Sequence, residues 1–420
     1  MLDSEVLVGL HRHLAHYTVA PATAALGSLQ FAGKVLDLAF RLRGSGVSSA
    51  NRVSALGISA GISKFDLNTS VLPALELLGW VRVNRDKDGA ISSVEDVIPP
   101  IVELSESGDK VLAIAHVDNT QAAAMALLKA STLHPLEKTA ALQLAAGHGD
   151  EAAENALRYL DEVNLVRVVD SADGRTAVFN PNIWVDEEAA VDAALRIQDS
   201  RASKEIAALM EEVRANPAIP QDHVQSTERR WIDFAVSQGL LERSVVVTSE
   251  NQERAFLFSP HLRRDAFGSG TRDASGHVRQ LVGSMVYAAT YPRYQLDDPA
   301  LFVRRLIERG RAGNASPIGT DYPMLETAGI VAVVPGTMNG RYALELKQVD
   351  VAEAALDILQ TRQAAGQGGS STGVRGLFDQ RSYRHVEGER ARLAAATPTG
   401  DEDLAQLVAA LRTASRKPNV

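Results

Sequence analysis

With 420 residues, 45% of them apolar and 23% charged, the chain is long enough for several cores and too apolar for wholesale disorder. It contains no cysteine, which removes disulfides, thiolate metal sites and thiol nucleophiles and suits a reducing compartment. A formal net charge of -9 opposes phosphate binding by the molecule as a whole, so the distribution of charge matters more than its sum.

The segment Met1 to Leu10 carries Asp3 and Glu5 and no basic stretch leading into an apolar core, so it does not read as a secretory signal. No run of about eighteen uncharged apolar residues follows either, so no membrane partner is expected and the cytoplasm is the expected compartment. His11, His13 and His16 fall on a helix without a nearby carboxylate, which reads as a surface helix and not a metal site. Helical spacing of apolar residues predicts further helices over 33–42, 135–146, 204–215 and 299–311. The stretch Gly57-Ile58-Ser59-Ala60-Gly61 has the pattern of a nucleophile elbow, but no apolar strand precedes it, and it reads as the turn before the next helix.

From there one pattern recurs four times. A short amphipathic helix ends at Gly79, Asn164, Gly239 or Gly329 and runs directly into apolar, partly β-branched residues: Trp80-Val81, Leu165-Val166, Leu240-Leu241 and Ile330-Val331. Gly and Asn tolerate the left-handed backbone that closes a helix, so these four pivots read as caps that aim a strand. Turn clusters at 86–89, 173–174, 250–252 and 338–340 then return the chain as a second strand. Between the second and third pivots, Asp186 to Ala215 reads as a long helix with Ala190, Ala194, Ile197, Ile206, Leu209 and Val213 on one stripe. Beyond the fourth, 363–373 is a Gly/Ser/Gln-rich linker whose Gly366 to Gly369 lack the Lys-Ser/Thr of a phosphate loop. Asp401 to Ser415 reads as a capped amphipathic helix.

A helix, a helix and a hairpin at spacings of 85, 75 and 90 residues resemble tandem winged-helix domains, with the pivot helix in the place of the recognition helix and the hairpin as its wing. The expected fold is therefore mainly α with small β-hairpins (α+β), an array of about four winged-helix units joined by helices. Its divisions are 1–115 (N-terminal helices and winged helix 1), 116–184 (winged helix 2), 185–216 (connecting helix), 217–262 (winged helix 3), 263–360 (a basic helical segment and winged helix 4) and 361–420 (linker and C-terminal helix).

The resemblance implies that recognition helices and wings carry the contacts. In the first unit these are Lys64, Asn68 and Thr69, with Arg85 and Lys87 in the wing; Asn68 and Thr69 also suit helix N-caps. The second unit is acidic, with Glu151, Glu154, Asp161 and Glu162 against Arg158. In the third, Gln225, Thr227, Arg229 and Arg230 bring donors to the pivot helix. Arg175, Arg254 and Arg341 recur just past three wing turns, where they could clamp a phosphate. Residues 261–311 hold 9 Arg against 5 acidic residues, including Arg263, Arg264, Arg304 and Arg305, with Tyr287, Tyr291 and Tyr294 interleaved, whereas 121–220 hold 9 basic against 16 acidic residues. The resemblance thus implies a non-enzymatic protein without cofactors that binds double-stranded DNA in a regulatory or DNA-maintenance role. The alternative is a protein-interaction subunit, similar to acidic winged-helix subunits of condensin-like complexes or part of a bacterial defence assembly. In that case a protein partner or a second copy would meet the acidic unit and the connecting helix.

Overall fold

The protein is described by a computed structural model that covers residues 3–17, 21–133, 136–170, 176–180, 201–237, 240–259, 276–292, 295–364 and 379–396. Over these residues the chain is mainly helical with small antiparallel sheets, as the α+β expectation has it. Helices α1 (Asp3–Leu14), α2 (Pro21–Ala25) and α3 (Gly27–Leu42) open the chain. Helix α1 is a core helix: His11 and His13 are 1% and 3% exposed, which overturns the surface reading of this segment. Their Nε2 atoms lie 2.8 Å from the Ala60 carbonyl and 2.6 Å from that of Val163. A carbonyl only accepts, so each ring donates from Nε2. Gly33 permits the tight crossing of α3 over α1, since a Cβ there would stand 2.2 Å from the Leu7 carbonyl oxygen.

The first repeat then runs β1 (Val47–Ser49), α4 (Ala50–Ser59), α5 (Lys64–Asp66), a π-helical turn (Leu67–Val71), α6 (Leu72–Leu77), β2 (Val81–Arg85) and β3 (Ile91–Asp96). After α7 (Ile101–Ser105) and α8 (Gly108–Ile114), the second runs α9 (Asn119–Leu133), β4 (Leu136–Glu137), α10 (Lys138–Ala145), α11 (Asp150–Glu162), β5 (Arg167–Asp170) and β6 (Thr176–Phe179). The third comprises α12 (Arg201–Ala215), β7 (Ile219–Pro220), a 3-10 turn (Gln221–His223), α13 (Arg229–Ser237), β8 (Glu242–Val247) and β9 (Glu253–Phe258). Helix α14 (His277–Thr290) precedes the fourth: α15 (Pro299–Arg309), β10 (Arg311–Ala315), α16 (Ile318–Asp321), α17 (Pro323–Thr327), β11 (Val331–Pro335) and β12 (Tyr342–Leu346). The described residues close with α18 (Val349–Ala364), β13 (Ser382–Arg384) and α19 (Val386–Ala396).

All four sheets share one topology. The first strand of each unit pairs antiparallel with the second strand of the hairpin, which thereby becomes central, giving orders β1-β3-β2, β4-β6-β5, β7-β9-β8 and β10-β12-β11. In the third sheet β13 adds to the free edge of β8, pairing Tyr383 with Val246. The left-handed pivots are as expected at Gly79 (φ 72°), Asn164 (φ 54°) and Gly329 (φ 74°), while Gly239 lies outside the described residues. Several boundaries shift. Helix α3 begins at Gly27, α10 begins at Lys138, and α15 stops at Arg309 because Gly310 adopts φ 66° and Arg311 opens a strand.

Apolar side chains from Val6 to Val178 form one continuous core beneath the first two units. A second core joins the fourth unit to α14 and α18. The third unit has its own, to which Ile206, Leu209 and Val213 of α12 and Leu393 of α19 contribute, so α12 packs inside that unit. The rest of the expected connecting helix, with Ala190, Ala194 and Ile197, lies outside the described residues, as do the linker from 365 onward and Asp401 to Ser415.

The first and fourth units are locked together. Gln348 donates from Nε2 to the carbonyls of Phe40 (2.9 Å) and Gly329 (3.2 Å), and Arg43 meets Asp350 at 2.9 Å. Buried Arg41 donates to the Thr327 carbonyl at 3.1 Å. A Cβ on Gly329 would stand 1.9 Å from the Arg41 carbonyl oxygen, so the fourth pivot is pressed against α3.

Candidate interaction surfaces

Each pivot helix presents a different surface. In the first unit Ser63 caps α5 by accepting from the Asp66 amide at 3.0 Å. Asn68 and Thr69 are not caps, as the sequence suggested; they lie inside the helix, in the π turn. Pro73 lacks the N–H that would bond the Thr69 carbonyl, and the helix widens there, with the Leu72 amide reaching back to Leu67. Thr69 turns its hydroxyl to the Phe65 carbonyl at 2.8 Å. Phe65, Thr69, Pro73 and Leu77 follow at four-residue spacing and are all exposed, Phe65 by 75% and Leu77 by 73%. Ile58, at the end of α4, is 65% exposed. Lys64 and Asn68 are exposed beside this line. In the β2–β3 hairpin, Arg85 lies 3.9 Å from Glu76, and exposed Lys87 sits between Asp86 and Asp88. Cations here are thus interleaved with acids.

Helix α11 of the second unit exposes Asp150, Glu151, Glu154 and Glu162, and Arg158 is drawn 4.0 Å from Glu162 and over the Tyr159 ring. Arg175 lies outside the described residues.

In the third unit several of the anticipated donors are engaged internally. The Gln225 and Ser226 amides donate to Glu212, and the Thr227 hydroxyl donates to Glu205 at 2.5 Å. Arg229 is 79% exposed and 3.7 Å from Asp233; Arg230 is 60% exposed, 3.1 Å from Glu228 and over the Trp231 ring. Arg254 covers the Tyr291 ring at 4.9 Å. Tyr287 is buried in the core, which removes it from the set of base-stacking candidates. Tyr294 lies outside the described residues, as do Arg263 and Arg264.

In the fourth unit Arg304 and Arg305 are exposed on α15. Arg341 donates to the Asn314 carbonyl at 3.1 Å and Arg311 to that of Pro335, so both bind their own sheet. Pivot helix α17 has Met324 and Leu325 buried and its end closed by α3.

Two buried ionic clusters went unrecognised. Asp37 accepts from Arg12 at 2.8 and 3.0 Å and from Arg41 at 2.8 Å, all three nearly solvent-free. Burial alone would raise the Asp37 carboxyl, but the two guanidinium groups hold it well below the usual carboxylate range. Burial lowers nearby His11 to about 4 and His277 to about 3, so both rings stay neutral. The second cluster joins the third unit to α19: buried Glu389 receives Arg243 at 2.8 Å, Arg392 at 3.1 Å and Arg384. Despite its burial, these contacts bring Glu389 down to about 2. Beside it buried Glu242 pairs with Arg279 and Arg390. The one available sequence signal was Asp37 and Arg41 at i, i+4 within the otherwise apolar Val35 to Leu42.

No group of His, Cys, Asp and Glu among the described residues is arranged to hold a metal ion, and no described helix is long and apolar enough to cross a membrane. Comparisons with known protein families, curated proteins and solved structures give no match.

Proposed function

We propose that the chain is a non-enzymatic protein of four winged-helix units whose main work is protein contact, as an assembly subunit of a larger complex. The winged-helix reading is supported by the order of helix, strand, helical segments and hairpin, which recurs four times with the same strand pairing. The observation that carries the functional reading is the exposed line of Phe65, Pro73 and Leu77 on the first pivot helix, with Ile58 also exposed on the preceding helix. Single exposed apolar residues are ordinary, but large ones gathered on one helical face favour a partner surface. The acidic face of α11 adds a surface that repels phosphate and attracts basic protein.

A photo-crosslinking amino acid at position 77, in cells, tests this reading. The expected result is one discrete protein adduct, lost when Phe65 is changed to Asp; an adduct to nucleic acid, or none, would overturn it.

A second reading, duplex contact through the third and fourth units, is favoured by the exposure of Arg229, Arg230, Arg304 and Arg305. Its test is binding to a labelled random duplex from about 50 to 200 mM salt. Salt-sensitive binding that weakens in Arg229→Ala/Arg230→Ala supports it, and no binding at the lowest salt excludes it for the isolated chain.

A further inference from the structure

A cavity of about 400 Å³ opens between the start of α13, the β8–β9 hairpin and α19. That volume lies within the range of small-molecule sites. Three carboxylates reach its wall, and each is already engaged. Asp222 accepts the Tyr291 hydroxyl at 2.6 Å, Glu253 is paired with Arg384 at 2.6 Å, and Glu389 is shared by Arg243, Arg384 and Arg392.

The guanidinium groups of the wall are not all matched in return. Arg243 is consumed by Glu389, Asp233 and Gln221 and serves as a fixed, buried floor. Arg392 uses Nε and one Nη on Glu389 and is 47% exposed, which leaves its outer edge facing the opening. Arg229 is held only loosely, at 3.7 Å from Asp233. Among the described residues no carboxylate lies within ion-pair distance of Arg254, whose charge rests on the Tyr291 ring. Three cationic side chains from three different elements thus line one cavity in which Glu253 and Glu389 are already paired with arginines and Asp222 holds the Tyr291 hydroxyl. Val224, Ile232 and Val245 add apolar side chains to the same lining.

We infer that this cavity is a binding site for a small organic anion, a phosphate or carboxylate carried on an apolar body. The anionic group would lie among Arg229, Arg254 and Arg392, where planar guanidinium donors suit oxyanions. The body would lie against Val224, Ile232 and Val245. Bound ligand would tie α13 to α19, and it would draw Arg229 away from any macromolecular contact. The inference shares Arg229 with the duplex reading and no residue with the protein-contact surface of the first unit, and its test contains neither duplex nor protein partner.

The test is calorimetric titration of the full chain with phenyl phosphate, inorganic phosphate and benzyl alcohol. Phenyl phosphate is expected to bind at least tenfold more tightly than inorganic phosphate, and benzyl alcohol not to bind. The double change Arg229→Ala/Arg254→Ala is expected to weaken phenyl phosphate at least tenfold with an unchanged melting temperature. Arg254→Lys, which keeps charge and removes the fork, is expected to fall between the two; it serves as the measurement if the double variant is unstable. No binding of phenyl phosphate at about 10 mM, equal binding of benzyl alcohol, or unchanged affinity in the variants would overturn the site.

Discussion

The residues on which the molecule most depends are charges that no solvent reaches. Asp37 matches two arginines from two helices, and its loss leaves both cations buried without their acceptor. Breaking a buried pair in this way costs about 3–5 kcal/mol, so Asp37→Asn should lower the urea unfolding free energy by about that amount. The buried histidines set the response to acid. His11 and His13, each lowered by burial to about 4, refuse protons that the unfolded chain takes up near 6.5. Their contribution is complete above pH 6.5 and is lost as pH falls from 6.5 to 4; Glu389, lowered from 4.5 to about 2, adds a further loss below pH 4.5. Melting temperatures should therefore drop steadily on acidification from about pH 7 to 4. His13→Gln, which keeps a donor for the Val163 carbonyl, should flatten the upper part of that fall.

At the scale of elements, the hairpins and pivots were legible in the chain because they rest on local chemistry: Gly79, Asn164 and Gly329 tolerate the left-handed backbone that closes a helix, and each is followed at once by strand-forming residues. The short first strands were not legible. Two-residue β4 and β7 have no alternation to read, and they exist only because a hairpin strand far along the chain offers a partner. Nor was the π turn, which needs both Pro73 and the surrounding helix. Candidate site residues were legible as exposed donors, but their partners, such as Glu205 for Thr227 and Asn314 for Arg341, came from the folded arrangement. Strand β13 covers the edge of β8, and with it α19 brings Glu389 to buried Arg243. Ending the chain at residue 378 should therefore bare a strand edge and leave Arg243 without its main acid. Association of the truncated protein by light scattering, at concentrations where the full chain is unchanged, would check this.

For the molecule as a whole, the four units have not remained equivalent. One presents an apolar line, one an acidic face and one exposed arginines, and the fourth turns its pivot inward against α3. Gln348 holds that inward arrangement by serving two carbonyls from different units. Gln348→Ala leaves both acceptors unmet in a buried place, at about 1–3 kcal/mol each. It should separate a single thermal transition, followed by calorimetry, into two.

The same residue carries a consequence for how long the molecule takes to become itself. Gln348 bonds the Phe40 carbonyl across 308 positions of chain, and Arg41 reaches Thr327 across 286. Contacts this remote form slowly, because a long loop must close before any of them is made. The seam between the first and fourth units is therefore expected to close last, after the units on either side of it have assembled.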